Sequence, residues 1–151
     1  MKQVAPMTQG EGDSGPEDEL GELLRRASHR MRHRWVDLLQ PWELSPHQAR
    51  ALRAIVTSEP LRLTELADRL RVANRSVTDV VDALVERGLA ERGAVPGDRR
   101  ATAVRATDAG RELLERTEDA RRADDAVFFG RLSEAERRRL SSLLRKLTDA
   151  E

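Results

Sequence analysis

Apolar residues recur at spacings of three and four from Glu17 onward: Leu20, Leu23, Leu24, Ala27, Met31, Trp35 and Leu38. That period predicts an amphipathic helix, with Pro41 to end it. The stretch LSPHQARALRAI opens a second helix. Ser45 is a good N-cap, Pro46 suits the first helical position, and Gln48 completes a capping box. Ala49, Leu52, Ile55 and Val56 form its apolar stripe. After a break at SEP, the run LRLTELADRLRV places Leu63, Leu66, Ala67, Leu70 and Val72 at helical spacing, with Thr64 as the expected cap. A joint of three or four residues leads into NRSVTDVVDALVERG, where Val77, Val80, Val81, Leu84 and Val85 face inward. Gly88 supplies the left-handed stop.

Beyond Gly88 the chain differs in kind. LAERGAV and RATAVRAT are short and β-compatible, and PGDR between them predicts a hairpin. Thr107 then caps a long Ala- and Arg-rich helix running through Leu113, Leu114 and Ala120 to about Phe129. Ser133 and Glu136 make a second capping box, and the last helix sets Leu140, Leu143, Leu144 and Leu147 on one face. Two short helices, a tight joint, a helix with a polar first turn and then a hairpin form a helix-turn-helix with a wing. The expected fold class is therefore mainly α with a small β-hairpin wing. Residues 1–16 read as an acidic flexible tail and about 45–107 as the winged-helix lobe. Long flanking helices occupy about 17–40 and 108–149.

Composition narrows the function. The chain has 151 residues, 38% apolar and only 3% aromatic, so its core must be built from Leu, Val and Ala. Charged residues make up 36%, well above the usual quarter, which favours surface-rich helices. No apolar run approaches the roughly 20 residues that span a bilayer, and the N-terminus lacks the apolar region of a signal peptide. A cytoplasmic protein is expected. There is no cysteine, which excludes disulfides, thiol nucleophiles and cysteine-based redox sensing. Positive and negative residues balance at 27 each, but Glu11, Asp13, Glu17, Asp18 and Glu19 crowd the first twenty positions against Lys2. The remainder is mildly basic.

No catalytic triad spacing, glycine-rich phosphate loop or metalloprotease motif occurs, so an enzyme is not expected and no cofactor is called for. His29, His33 and Asp37 share one helix face at i, i+4 and i+8, and two histidines so spaced can chelate zinc. Arg30, Arg32 and Arg34 surround them, and a positive field opposes a cation. The stripe reads as polar surface rather than a metal site.

The helix after the joint carries the chemistry. Asn74, Arg75, Ser76, Thr78 and Asp79 lie opposite its valines, where amide, guanidinium and hydroxyl groups can meet base edges and phosphates in a major groove. Thr64, at the start of the preceding helix, joins this set. The wing tip then carries Asp98, Arg99 and Arg100. Arginine there can enter a minor groove. Asp98 can hold the Arg100 guanidinium in a fixed fork, and Arg99 is better placed for phosphate.

With these stretches together, the sequence resembles the MarR family of winged helix-turn-helix regulators. The matching segments are LSPHQARALRAI, LTELADRLRVANRSVTDVVDALVERGLAER, PGDRRATAVRATDAG and LSEAERRRLSSLLRKL, spanning nearly everything from Leu20 to Leu147. The Asp98-x-Arg100 pattern matches the family's wing motif, in which the arginine enters the minor groove and the acid braces it. Ala106 stands where the family usually has leucine, implying looser packing beneath the wing. Ala73 and Asn74 replace the usual serine cap of the recognition helix. The missing cysteine excludes the peroxide-sensing branch. The resemblance implies a homodimer joined by the first and last two helices, a palindromic double-stranded DNA operator, and repression relieved by a small, aromatic ligand. His33, Trp35, Trp42 and His47 are the nearby pocket candidates. The alternative is a winged-helix protein-interaction module that does not read DNA.

Overall fold

The computed structural model describes residues 15–95 and 98–149, with side chains for all of these except those within 95–101. The expected tail lies outside the described residues as far as residue 14. Six α-helices and three strands follow in the order α1 (Pro16–Leu39), α2 (Pro46–Ser58), β1 (Leu61–Arg62), α3 (Leu63–Leu70), α4 (Asn74–Glu86), β2 (Ala90–Val95), β3 (Asp98–Ala106), α5 (Asp108–Phe129) and α6 (Glu134–Thr148). The residues divide after His33 into two units.

In the first unit, residues 16–33 are the opening turns of α1. Leu20, Leu23, Leu24 and Met31 are all exposed, from 37% to 63%. A helix whose apolar stripe stays in solvent has propensity and local pairs such as Arg25–Glu22 to hold it, and no core of its own.

The second unit holds the core. Leu39, Leu52, Ile55, Leu61, Leu66, Val77, Val81, Leu84 and Val104 are essentially inaccessible to solvent. The inward positions read from α2, α3 and α4 are the ones that pack here, with Leu63, Leu70, Val72, Val80 and Val85 at the margin. Pro41 does not simply stop α1. The helix ends at Leu39 and a 3-10 turn over Gln40–Trp42 absorbs the proline near its start. Glu43 then adopts φ 50° before α2 begins.

The capping boxes form as the spacing requires. Gln48 N donates to Ser45 Oγ at 3.1 Å while Ser45 N donates to Gln48 Oε1 at 2.8 Å. At α6, Ser133 N donates to Glu136 Oε2 at 2.7 Å. Hydrogen bonds from Ser133, backbone first, hold the Glu136 carboxyl below its ordinary pKa. The expected Thr64 cap is corrected: the cap is Arg62, two residues earlier, and Glu65 accepts from Arg62 N at 3.0 Å. The reason is tertiary. Leu61 and Arg62 pair with Val104 and Ala103 of β3, so the chain passes directly from a strand into α3. This third strand has no sequence signal, being two residues long. The sheet order is β1-β3-β2, all antiparallel.

Candidate nucleic-acid interface

The turn between α3 and α4 is made by Arg71 in the left-handed conformation, φ 54°, whose N–H donates to the carbonyls of Ala67 and Asp68. Val72 and Ala73 complete the joint, and Ala73 is the N-cap of α4. Alanine has no side-chain acceptor, so the N-cap residue closes no hydrogen bond on the first turn of this helix. Four backbone N–H groups and the positive end of the helix dipole are left facing outward there. Around them Asn74, Arg75, Ser76 and Asp79 are exposed, while Thr78 is half-buried and donates from Oγ1 to Asn74 O at 3.2 Å. The sequence-predicted set is thus brought together on one turn and a half of α4. Thr64 lies apart on α3, exposed near its start.

The far end of α4 is anchored. Gly88 takes φ 66° and Arg87 reaches back to Trp42 O and Glu43 O at 2.7 and 2.8 Å, fixing the helix against the turn before α2. The hairpin is fixed at its base by three groups. Thr107 Oγ1 donates to Gly88 O at 2.6 Å, and Glu59 accepts from Ala106 N at 2.8 Å. Glu59 also pairs with Arg111 at 2.5 Å, in the first turn of α5. Ala106, the position where leucine is usual in the family, is 4% exposed, so the shorter side chain is itself fully enclosed.

Further along the hairpin, Ala94 faces Thr102, and regular pairing would put Val95 opposite Ala101. It faces Asp98 instead. The register therefore jumps by three residues on the β3 side, within the segment that carries Arg99 and Arg100. The backbone of Asp98, Arg99 and Arg100 belongs to β3, not to the crest of a separate PGDR turn. Their side chains, and with them the Asp98–Arg100 pairing, lie outside the described residues.

Two residues escaped the reading of the sequence. Asp82, on the stripe of α4 that also carries Asn74 and Thr78, receives Arg92 Nη2 of β2 at 2.7 Å. The pair depends on the hairpin returning across the helix, which no local pattern reveals.

The other candidates separate. His29 and His33 stack edge to face at 4.3 Å between ring centroids. Among the described residues no group of three His, Cys, Asp or Glu could hold a metal ion. Trp35 and Trp42 are half-buried against the core. His47 lines a cavity of about 360 Å³ with Ser45, Leu70, Val72, Ser76, Val77 and Val80, directly behind the exposed face of α4.

A family profile described as MarR family matches residues 44–102, from the turn before α2 into β3 of the wing. A regulatory protein of Thauera aromatica for the hcr operon is 34% identical, covering 85% of this chain and 78% of its own length. The chain belongs to the MarR family. The repressor NicR of Pseudomonas putida is 29% identical, with 89% of this chain and 85% of NicR covered. The solved structure of Bordetella bronchiseptica BpsR, whose DNA binding is regulated by 6-hydroxynicotinic acid, superposes with a TM-score of 0.75 at 28% identity over 93% of this chain and all of that one. As a MarR-family member the protein is a DNA-binding transcriptional regulator of winged-helix build. Neither the family nor these relatives are named as catalysts. No helix among the described residues is long and apolar enough to cross a membrane.

Proposed function

We propose that this MarR-family protein is a homodimeric repressor that reads a palindromic operator and is released by a small aromatic acid. The observation carrying the reading is the start of α4, where exposed Asn74, Arg75, Ser76 and Asp79 surround a helix end that no side chain caps. Placed in a major groove, such an end meets phosphate with its N–H groups and base edges with its side chains. Thr78 and Thr64 stand beside this contact, and Asp98, Arg99 and Arg100 extend it to the flanking minor groove. The winged-helix lobe is residues 45–107, and the helices on either side of it join the two protomers. Recognition helices of the two protomers then sit about 34 Å apart, one turn of DNA, so the operator has twofold symmetry.

Repression agrees with NicR, a repressor by name, and ligand control with BpsR. The cavity beside His47 suits a planar acid, with Ser45 and Ser76 hydroxyls at hand and valines and leucines around the ring. A ligand there presses on α4 itself. His33, Trp35 and Trp42 are the remaining pocket candidates.

The test selects random duplexes with purified protein and then measures affinity for the winner against salt. A palindromic winner is expected. Arg100→Ala should weaken it by about 1–3 kcal/mol and relax A·T preference at its flanks, and a phosphate-contacting arginine should lower the salt slope by about one when removed. Enrichment of no duplex would turn the reading toward the protein-interaction module. Adding 6-hydroxynicotinate should loosen the complex in wild type, and less so in His47→Ala.

A further inference from the structure

Asp82, like Asp79, is an acid on the face of α4 proposed to meet DNA. Charge alone makes it a liability, because phosphates repel it and dominate affinity. Its place in the fold gives it another use. On β2, cross-strand pairing sets Ala90 opposite Ala106 and Arg92 opposite Val104. Ala90, Val104 and Ala106 are buried, so this is the helix-covered face of the hairpin. Arg92 occupies that face where the core runs out, and its guanidinium meets Asp82 at 2.7 Å. Both side chains remain partly in solvent, at 33% and 54%. An exposed pair of this kind adds little to folding stability but fixes a direction. Two residues beyond Arg92 the hairpin register breaks, and the segment bearing Arg99 and Arg100 begins.

We propose that the Asp82–Arg92 pair sets the angle of the wing to the recognition helix, so that Asp82 strengthens operator binding despite its charge. Asp82 and Arg92 are positioning residues. They act through Arg100, and the inference rests on the wing reading DNA as proposed above.

The experiment compares wild type, Asp82→Asn, Arg92→Ala, the reversed pair Asp82→Arg/Arg92→Asp, and Arg100→Ala on operators with A·T or G·C flanks. Thermal midpoints of the single variants should stay near wild type, since the pair is exposed. Asp82→Asn should bind the A·T-flanked operator roughly tenfold more weakly and lose most of its preference over G·C flanks, with the reversed pair recovering much of both. Tighter binding by Asp82→Asn would show an ordinary repelling charge and overturn the proposal. So would an Arg92→Ala defect that lowers the salt slope by about one while leaving flank preference intact, which marks a direct phosphate contact. Arg100→Ala separates the two levels. If it binds like wild type, the wing does not read DNA and the underlying reading fails. If it weakens binding while Asp82→Asn does not, only the positioning role fails.

Discussion

Gly110 shows how little room one position leaves. A Cβ there would lie 2.0 Å from the carbonyl oxygen of Leu89 and 3.3 Å from Leu52 Cδ1. The first is backbone and cannot swing aside. Leu89 is held in turn by Thr107 N, which donates to its carbonyl at 3.2 Å. Gly110→Ala must therefore push α5 away from the strand leading into the wing. A loss of about 3 kcal/mol is expected in urea unfolding, at the upper end of overpacking costs. Gly88 is the milder case, with open space around it but φ 66°. Gly88→Ala should cost about 1 kcal/mol, the ordinary penalty of a left-handed non-glycine. Glu136 ties a residue to pH. Its folded pKa is depressed, so its capping contribution is complete above the unfolded carboxylate value and is lost as pH falls through the lower folded one. Stability followed by circular dichroism between pH 6 and 2 should show an acid-side decrement in wild type. In Glu136→Gln, whose amide caps without titrating, that decrement should shrink.

Among elements, α4 is held firmly at one end and left open at the other. Its C-terminal half is locked by Val81, Leu84 and the Arg87 contacts, while the N-terminal turn has no side-chain cap. The arrangement keeps the end proposed to read DNA available without letting the helix drift. Replacing the anchor tests it. Leu84→Ala should cost about 2–5 kcal/mol, as for other large-to-small core changes, and weaken operator binding only through the folded fraction. Ala73→Ser should do the opposite, stabilising α4 by about 1 kcal/mol with a new cap while competing with phosphate for the same N–H groups. Chemical denaturation and operator affinity, measured together, are expected to move in opposite directions for this variant.

For the whole molecule, apolar surface is the telling quantity. Leu20 and Leu23 in the first unit, and Val127 and Leu147 in the second, each stand more than half in solvent. Scattered singly they would mean little, but large apolar side chains exposed along long helices are what the proposed dimer would cover. Leu147→Glu is expected to shift the protein toward monomer in analytical ultracentrifugation. It should also cost operator affinity, because the two half-sites of the proposed operator would then be bound independently. A wild-type monomer at micromolar concentration would contradict the proposed dimer.

Period, cap chemistry and left-handed glycine are local matters, so the helices, both capping boxes, the Gly88 stop and the inward faces of α2, α3 and α4 were legible in the chain. The polar first turn of α4 was legible too, because five of those residues are consecutive or nearly so. Features that depend on distant segments meeting came only with the folded molecule. Strand β1 exists only because β3 pairs with Leu61 and Arg62, and that pairing moved the start of α3 off Thr64. Gly110 is indispensable only because Leu89 lies against it. Asp82 became a partner of Arg92 only when the hairpin folded back over the helix, ten residues on. Local pattern fixes which face a residue shows; the packing of one element on another fixes what that face meets.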